Sequence, residues 1–170
     1  MRKEQKIVAA GAASGIAAMI AALLGLAAVL PALPESADAG ERLAFAVKWI
    51  AFAAAPLFLA IIAVGNARFA SDAIDPTAGK EDHAMLVNGR VADNTLQQFT
   101  LFAAATLAVA AVSRGDQLAI VSSAALVFVV SRFAFWIGYR MQPLYRAFGF
   151  ASTAYLNIIL FGVAAWRAWL

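Results

Sequence analysis

The chain has 170 residues, of which 64% are hydrophobic and only 14% are charged. Soluble domains are closer to half apolar and a quarter charged, so this composition predicts an integral membrane protein. The net charge of +3 is expected from basic residues beside membrane spans rather than from a nucleic-acid site. The absence of cysteine excludes disulfides, thiolate metal sites and a cysteine nucleophile. The single histidine, His83, lies in a polar stretch, where we predict no metal site.

Five apolar stretches are long enough to cross a membrane, since a spanning helix needs about 20 residues. In chain order they are Ile7–Leu30, Leu43–Val64, Val91–Val112, Gln117–Tyr139 and Leu144–Leu170. Proline removes a backbone donor and commonly bends a helix. We therefore predict a kink at Pro56, inside the second stretch.

The first stretch has two possible interpretations. A basic start, MRKEQK, and an A-x-A-like sequence, ADAG, would fit a cleaved signal. The apolar run is longer than the roughly 7–15 residues of a signal core, so we expect a retained helix. Gly11 and Gly15 in this stretch have the G-x-x-x-G spacing that permits close contact between helices.

The distribution of lysine and arginine predicts the orientation, because these residues are more frequent on the cytoplasmic side. With the N-terminus inside, eight lie on the cytoplasmic side and four on the other. The cytoplasmic set is Arg2, Lys3, Lys6, Arg68, Lys80, Arg90, Arg140 and Arg146, and the opposite set is Arg42, Lys48, Arg114 and Arg167. We therefore predict a cytoplasmic N-terminus.

Polar side chains collect at the predicted cytoplasmic ends of the spans. Arg90, Asn94 and Gln97 share one helical face, because they are spaced by four and then three residues. Arg132 and Tyr139 share a face of the fourth span. A charge as deep as Arg132 costs about 2.5–3.5 kcal/mol to insert, so its side chain should face the protein interior.

Two interpretations of these arginines remain open from the residues alone. Arginines near a membrane edge commonly set topology or bind lipid phosphate. Together, however, Arg68, Arg90, Arg132 and Arg146 have few acidic neighbours in the spans, which favours a pocket for an anionic ligand.

Two segments carry a resemblance to a known family. RVADNTLQQFTLF resembles the R-x3-N-x2-E motif of MAPEG proteins, the membrane-associated proteins in eicosanoid and glutathione metabolism, whose bacterial members often read NTLEQ. SRFAFWIGYRMQPLYRAFGF resembles the second family signature: an arginine, a Gly-Tyr pair, a proline turn, an arginine and then Gly-Phe. The resemblance covers about Leu43–Leu170.

The resemblance implies an all-α integral membrane fold, with a four-helix bundle over residues 41–170 and an additional N-terminal transmembrane helix and loop over residues 1–40. It implies a homotrimer that binds glutathione, as cosubstrate, between subunits. Arg68, Arg90 and Asn94 would hold the glutathione carboxylates and backbone, and Arg132 and Tyr139 would line the cleft. Arg146 matches the arginine that stabilises the thiolate. Gln97 stands where the family has a glutamate, and Phe135 where some members have a tyrosine.

The function implied is a membrane-bound glutathione transferase or peroxidase acting on hydrophobic electrophiles. Because of the two departures, a non-catalytic lipid- or fatty-acid-binding member of the same fold remains an alternative. A structural protein whose arginines bind lipid headgroups is a third possibility. The expected partners are membrane lipid and a hydrophobic small molecule, with neither metal nor nucleic acid. The expected location is a bacterial inner membrane, with the site facing the cytoplasm.

Overall fold

The structure is a computed structural model that describes residues 2–169, and every regular element in that part of the chain is helical. The long helices are α1 Lys3–Val29, α2 Ala39–Ala53, α3 Ala55–Phe69, α4 His83–Val112, α5 Ala119–Met141 and α6 Ala147–Trp169. Short 3-10 turns cover Asp72–Ile74, Gly115–Gln117 and Pro143–Arg146. Five segments are long and apolar enough to span a membrane, because α2 and α3 together form one of them. The predicted five-span, all-α fold is therefore confirmed.

The second span is interrupted at Ala54, between α2 and α3, and Pro56 lies in the first turn of α3. Proline lacks the N–H that would continue the α-helical bonding, and its ring crowds the preceding turn. The predicted kink is therefore confirmed.

The helix that carries Arg90 begins earlier than predicted. We expected the span to start at Val91, but α4 starts at His83, two turns before. Asp82 caps this start, since its carboxylate accepts a hydrogen bond from the Met85 N–H at 2.8 Å. The polar residues at the start of this span are therefore held on a continuous helix.

The first helix packs on its own protomer, against α5 and α6. A side chain at Gly15 would collide with the Phe148 carbonyl and would lie 2.9 Å from the Ser152 hydroxyl oxygen. That hydroxyl donates to the Gly15 carbonyl at 3.0 Å. The glycine spacing in α1 thus serves a close helix contact.

The core lies between α1, α2, α4, α5 and α6, and α1 contributes Met19 and Leu23 to it. Phe102 and Phe128 are completely buried there, with ring centroids 4.6 Å apart. The five spans alternate in direction. The start of α1, the end of α3, the start of α4, the end of α5 and the start of α6 therefore share one end of the bundle. We call it the cavity end; the opposite end, with Arg42, Arg114 and Arg167, is the closed end.

Candidate functional site

A cavity of about 580 Å³ opens at the cavity end, between α1, α4, α5 and α6. Its polar lining groups come from three elements, and the rest of the lining is apolar or aromatic. The polar groups include Arg90, Asn94, Tyr139 and Arg146; the remaining lining residues are Val8, Ala12, Phe135, Leu144, Ala147, Phe150, Ala151, Ala154 and Tyr155. The structure therefore brings four of the seven predicted site residues around one cavity.

Arg146 and Tyr139 are joined directly at this cavity. Arg146 Nη1 donates to the Tyr139 hydroxyl oxygen at 3.0 Å, and the guanidinium carbon lies 5.0 Å from the tyrosine ring centroid. The turn Pro143–Arg146 brings the two together by folding back onto α5. The absence of a side chain at Gly138 permits this, because a Cβ there would lie 2.9 Å from the Tyr145 carbonyl oxygen.

Arg132 does not line the cavity but lies behind its wall, with only 1% of its surface exposed. It donates to the hydroxyl oxygens of Thr95 and Thr153 at 2.8 and 3.3 Å, and to Asn94 Oδ1 at 3.0 Å. Its guanidinium carbon also lies 4.1 Å from the Phe135 ring centroid. The expectation that Arg132 faces the interior is confirmed.

Arg132 therefore contacts the cavity lining but does not itself line the cavity. Asn94 and Phe135 are lining residues, and both contact the Arg132 guanidinium. All its hydrogen-bond acceptors are neutral, so the positive charge is not cancelled by a carboxylate. A buried guanidinium held in this way fixes the orientation of the Asn94 amide.

Two predicted site residues lie away from the cavity. Arg68 at the end of α3 forms an ion pair with Glu81, with Nη2 and Oε1 2.5 Å apart, although the sequence indicated few acidic neighbours. Glu81 comes from the loop before α4. Gln97 is exposed and is not a lining residue. Within one protomer, neither side chain joins the group around Tyr139.

A buried polar pair lies deeper between α4 and α6, and sequence reasoning missed it. Asn157 Nδ2 donates to both the carbonyl oxygen and Oε1 of Gln98 at 3.1 Å. The sequence offered no signal for this pair, because Gln98 and Asn157 lie on different spans, 59 residues apart. The contribution of α1 to the cavity was also missed. The sequence feature that could have indicated this contribution is the spacing of Val8 and Ala12, which are four residues apart and lie next to Gly11 and Gly15.

The charged residues that line the cavity, Arg90 and Arg146, are both positive. None of the ion pairs within residues 2–169 involves Arg90 or Arg146. In the same part of the chain, no cluster of three or more His, Cys, Asp or Glu residues could hold a metal ion. The arrangement is therefore suited to an anionic ligand with an apolar part.

Five apolar helical spans with a cationic, partly apolar cavity at one end define the class of protein: a multi-pass helical membrane protein. The MAPEG family model matches residues 46–166, and the chain belongs to the MAPEG family. Comparisons with curated proteins and with solved structures gave no match. Membership supports, at the level of the family, glutathione transferase or eicosanoid-type function in a membrane. The family uses glutathione and is generally trimeric.

Proposed function

We propose that this protein is a membrane-bound glutathione transferase or peroxidase that acts on hydrophobic electrophiles. The observation that carries the proposal is the convergence of Arg90, Asn94, Tyr139 and Arg146 on one cavity. These are four of the positions at which the chain matches the family motifs. Arg90 and Asn94 would bind the carboxylates and backbone of glutathione, and Arg146 would lie beside its sulfur.

The chemistry depends on the thiolate of glutathione, because the thiolate and not the thiol is the nucleophile. A free thiol has a pKa near 8.5, and a guanidinium beside the sulfur lowers that pKa by favouring the charged form. In substitution, the proton leaves to solvent, the sulfur bonds to the electrophilic carbon, and the bond to the leaving group breaks. In the addition to an α,β-unsaturated aldehyde, the sulfur bonds to the β-carbon, the carbon–carbon π bond breaks, and the α-carbon takes up a proton from solvent. In peroxidase chemistry, the thiolate attacks one peroxide oxygen and the O–O bond breaks to release an alcohol. A second glutathione then yields the disulfide and water.

The site belongs at a membrane edge because its two substrates come from different phases. Glutathione is a water-soluble anion, whereas the electrophile partitions into lipid. A cavity with a cationic part and an apolar part can hold both reactants next to each other, and this proximity accelerates their reaction. The predicted cytoplasmic N-terminus would place the cavity on the side where glutathione is abundant.

We further propose a homotrimer in which Arg68 and Gln97 complete the cavity of a neighbouring subunit. Both lie away from the cavity of their own protomer, and Arg68 is on a different helix from Arg90 and Arg146. Glu81 would then orient the Arg68 guanidinium. Native mass spectrometry in mild detergent should detect a trimer. A monomer or dimer as the only species would contradict this assembly.

The direct test of the activity is an assay of purified protein in detergent with glutathione and chlorodinitrobenzene, and in parallel with a lipid hydroperoxide. The proposal predicts saturable, glutathione-dependent turnover above the uncatalysed rate with at least one of the two. The matched control is Arg146→Ala, purified in the same way. If the wild type binds glutathione but turns over neither probe, it is not the proposed enzyme.

A further inference from the structure

Part of the cavity wall is built by α1, which lies before the region that matches the family model, residues 46–166. Val8 and Ala12 of α1 line the same cavity as Arg146 and Tyr139. Ala151 and Ala154 of α6 are also lining residues, so small side chains leave space between the two helices. The extra helix thus contributes directly to the candidate site.

The position of α1 beside the cavity is fixed by close packing. The Gly11 position approaches Ala147, since a Cβ there would lie 3.4 Å from the Ala147 Cβ. One turn further, Gly15 packs on the backbone of Phe148 and accepts a hydrogen bond from Ser152. Because Ala12 lies between these two glycines, its methyl group cannot withdraw from the cavity without breaking the contact between α1 and α6.

The polar and apolar lining residues are unequally distributed over the helices. Arg90 and Asn94 come from α4, and Tyr139 and Arg146 come from α5 and the turn after it. The lining residues of α1 and α6 are alanine, valine, phenylalanine and tyrosine. A ligand with a charged head and an apolar body would therefore direct its head to α4 and its body to the space between α1 and α6.

We propose that Val8 and Ala12 form a wall of the subsite for the apolar body of the electrophile, and that they limit its size. This inference rests on the proposed function, because it places the electrophile beside the glutathione sulfur at Arg146. The favoured substrates are slender alkyl compounds that enter between α1 and α6. Each methylene buried there favours binding by up to about fourfold, the equivalent of about 0.8 kcal/mol.

The chain contains no cysteine, so a single introduced cysteine can report occupancy of the subsite. Ala12→Cys places a thiol in the cavity wall. Ala10→Cys is the matched control, because Ala10 is exposed and lies on roughly the opposite face of α1. The measurement is the rate of alkylation by N-ethylmaleimide in detergent and in phosphatidylcholine liposomes. S-methylglutathione and S-hexylglutathione, which have no free thiol, serve as the added ligands.

We expect S-hexylglutathione to slow alkylation of the Ala12→Cys variant roughly tenfold at ten times its dissociation constant. S-methylglutathione at equal occupancy should protect much less, and the Ala10→Cys variant should be protected by neither. Equal protection by the two ligands, or equal protection at both positions, would overturn the inference. A third outcome is that Ala12→Cys is alkylated slowly in liposomes but not in detergent, whichever ligand is added. This would assign the space to a lipid chain and would also overturn the inference.

Calorimetric titration of the two ligands separates this inference from the proposed function. If neither ligand binds the wild type, the glutathione site itself is absent, and both the proposed function and the role of α1 are wrong. If both ligands bind but the expected protection of Ala12→Cys is not seen, only the proposed role of α1 is wrong.

A second variant tests size selection by turnover. Ala12→Phe should lower kcat/KM for α,β-unsaturated aldehydes more strongly as their chains lengthen, whereas Ala10→Phe should not change the chain-length dependence. An Ala12→Phe enzyme with the wild-type chain-length dependence would contradict the assignment of this wall.

Discussion

The arginines at the closed end and the two that line the cavity differ in their bonding within the protein. At the closed end, Arg114 pairs with Glu35 and Asp116 at 3.2 and 3.1 Å. The hydrogen bond to Asp116 and the negative charges of Asp116 and Glu35 raise the pKa of Arg114 above its ordinary value. Arg42 donates to backbone carbonyl oxygens at 2.8 and 3.3 Å. Arg167 donates to the Ser113 hydroxyl at 2.5 Å. These arginines are bonded within the protein.

At the cavity end, Arg90 and Arg146 line an open space of about 580 Å³ and take part in none of the ion pairs of residues 2–169. At this end it is Arg68, away from the cavity, that pairs with a carboxylate, that of Glu81. An arginine that sets topology can be paired by a loop carboxylate, whereas one that binds a ligand must keep its donors available.

The largest expected effect is the loss of turnover at the cavity end. Arg146→Ala should reduce the rate of the chemical step by about 10- to 150-fold, because a charged contact to the thiolate is worth about 1.5–3 kcal/mol. Most glutathione affinity should remain, since we propose that Arg90 and Asn94 bind the carboxylates. Pre-steady-state kinetics with chlorodinitrobenzene measure the step. Arg140→Ala is the control, because Arg140 is an exposed arginine of the same end that is not a lining residue. An unchanged chemical step in Arg146→Ala would exclude Arg146 from catalysis.

The next effect is on the free energy of unfolding, and it distinguishes the buried Arg132 from the exposed Arg90. Arg132→Lys keeps the charge but cannot reach Thr95, Thr153 and Asn94 together, because lysine lacks the planar fork of five donors. We expect it to lower the free energy of unfolding by about 1–3 kcal/mol. Thermal unfolding in detergent measures this. Arg90→Lys, at an exposed position, is the control and should have a much smaller effect. Equal melting temperatures for Arg132→Lys and the wild type would show that the network contributes little.

The smallest effect is expected at Gln97, which stands where the family motif has a glutamate. Gln97→Glu should tighten glutathione binding by about fivefold, because a charged hydrogen bond exceeds a neutral one by about 1 kcal/mol. This requires that Gln97 reaches the ammonium group of glutathione in a neighbouring subunit. Calorimetry of the two proteins in the same detergent measures the change. An unchanged or weaker affinity would remove Gln97 from the site.

Much of this arrangement could be predicted from the sequence. Span length and hydropathy predicted five spans, and the period of the helix predicted the shared face of Arg90 and Asn94. Proline chemistry predicted the break near Pro56. These features are local, because each depends on residues within one or two turns of each other.

The remaining features depend on contacts between distant segments. The burial of Arg132 was predictable from its depth, but its neutral partners Thr95 and Thr153 were not, since threonine occurs widely in membrane helices. The pairing of Arg68 with Glu81 required the course of the loop before α4. The place of α1 in the cavity wall required its docking on α6, and a G-x-x-x-G spacing predicts a close contact without naming the partner helix.

We propose that glutathione binds at the cavity end and not at the closed end. Calorimetric titration of glutathione into the wild type, Arg90→Ala and Arg114→Ala in one detergent distinguishes the two ends. We expect saturable binding to the wild type, affinity about 10- to 150-fold weaker for Arg90→Ala, and unchanged affinity for Arg114→Ala. Binding that is insensitive to Arg90→Ala, or that is lost in Arg114→Ala, would show that glutathione does not bind at the cavity end.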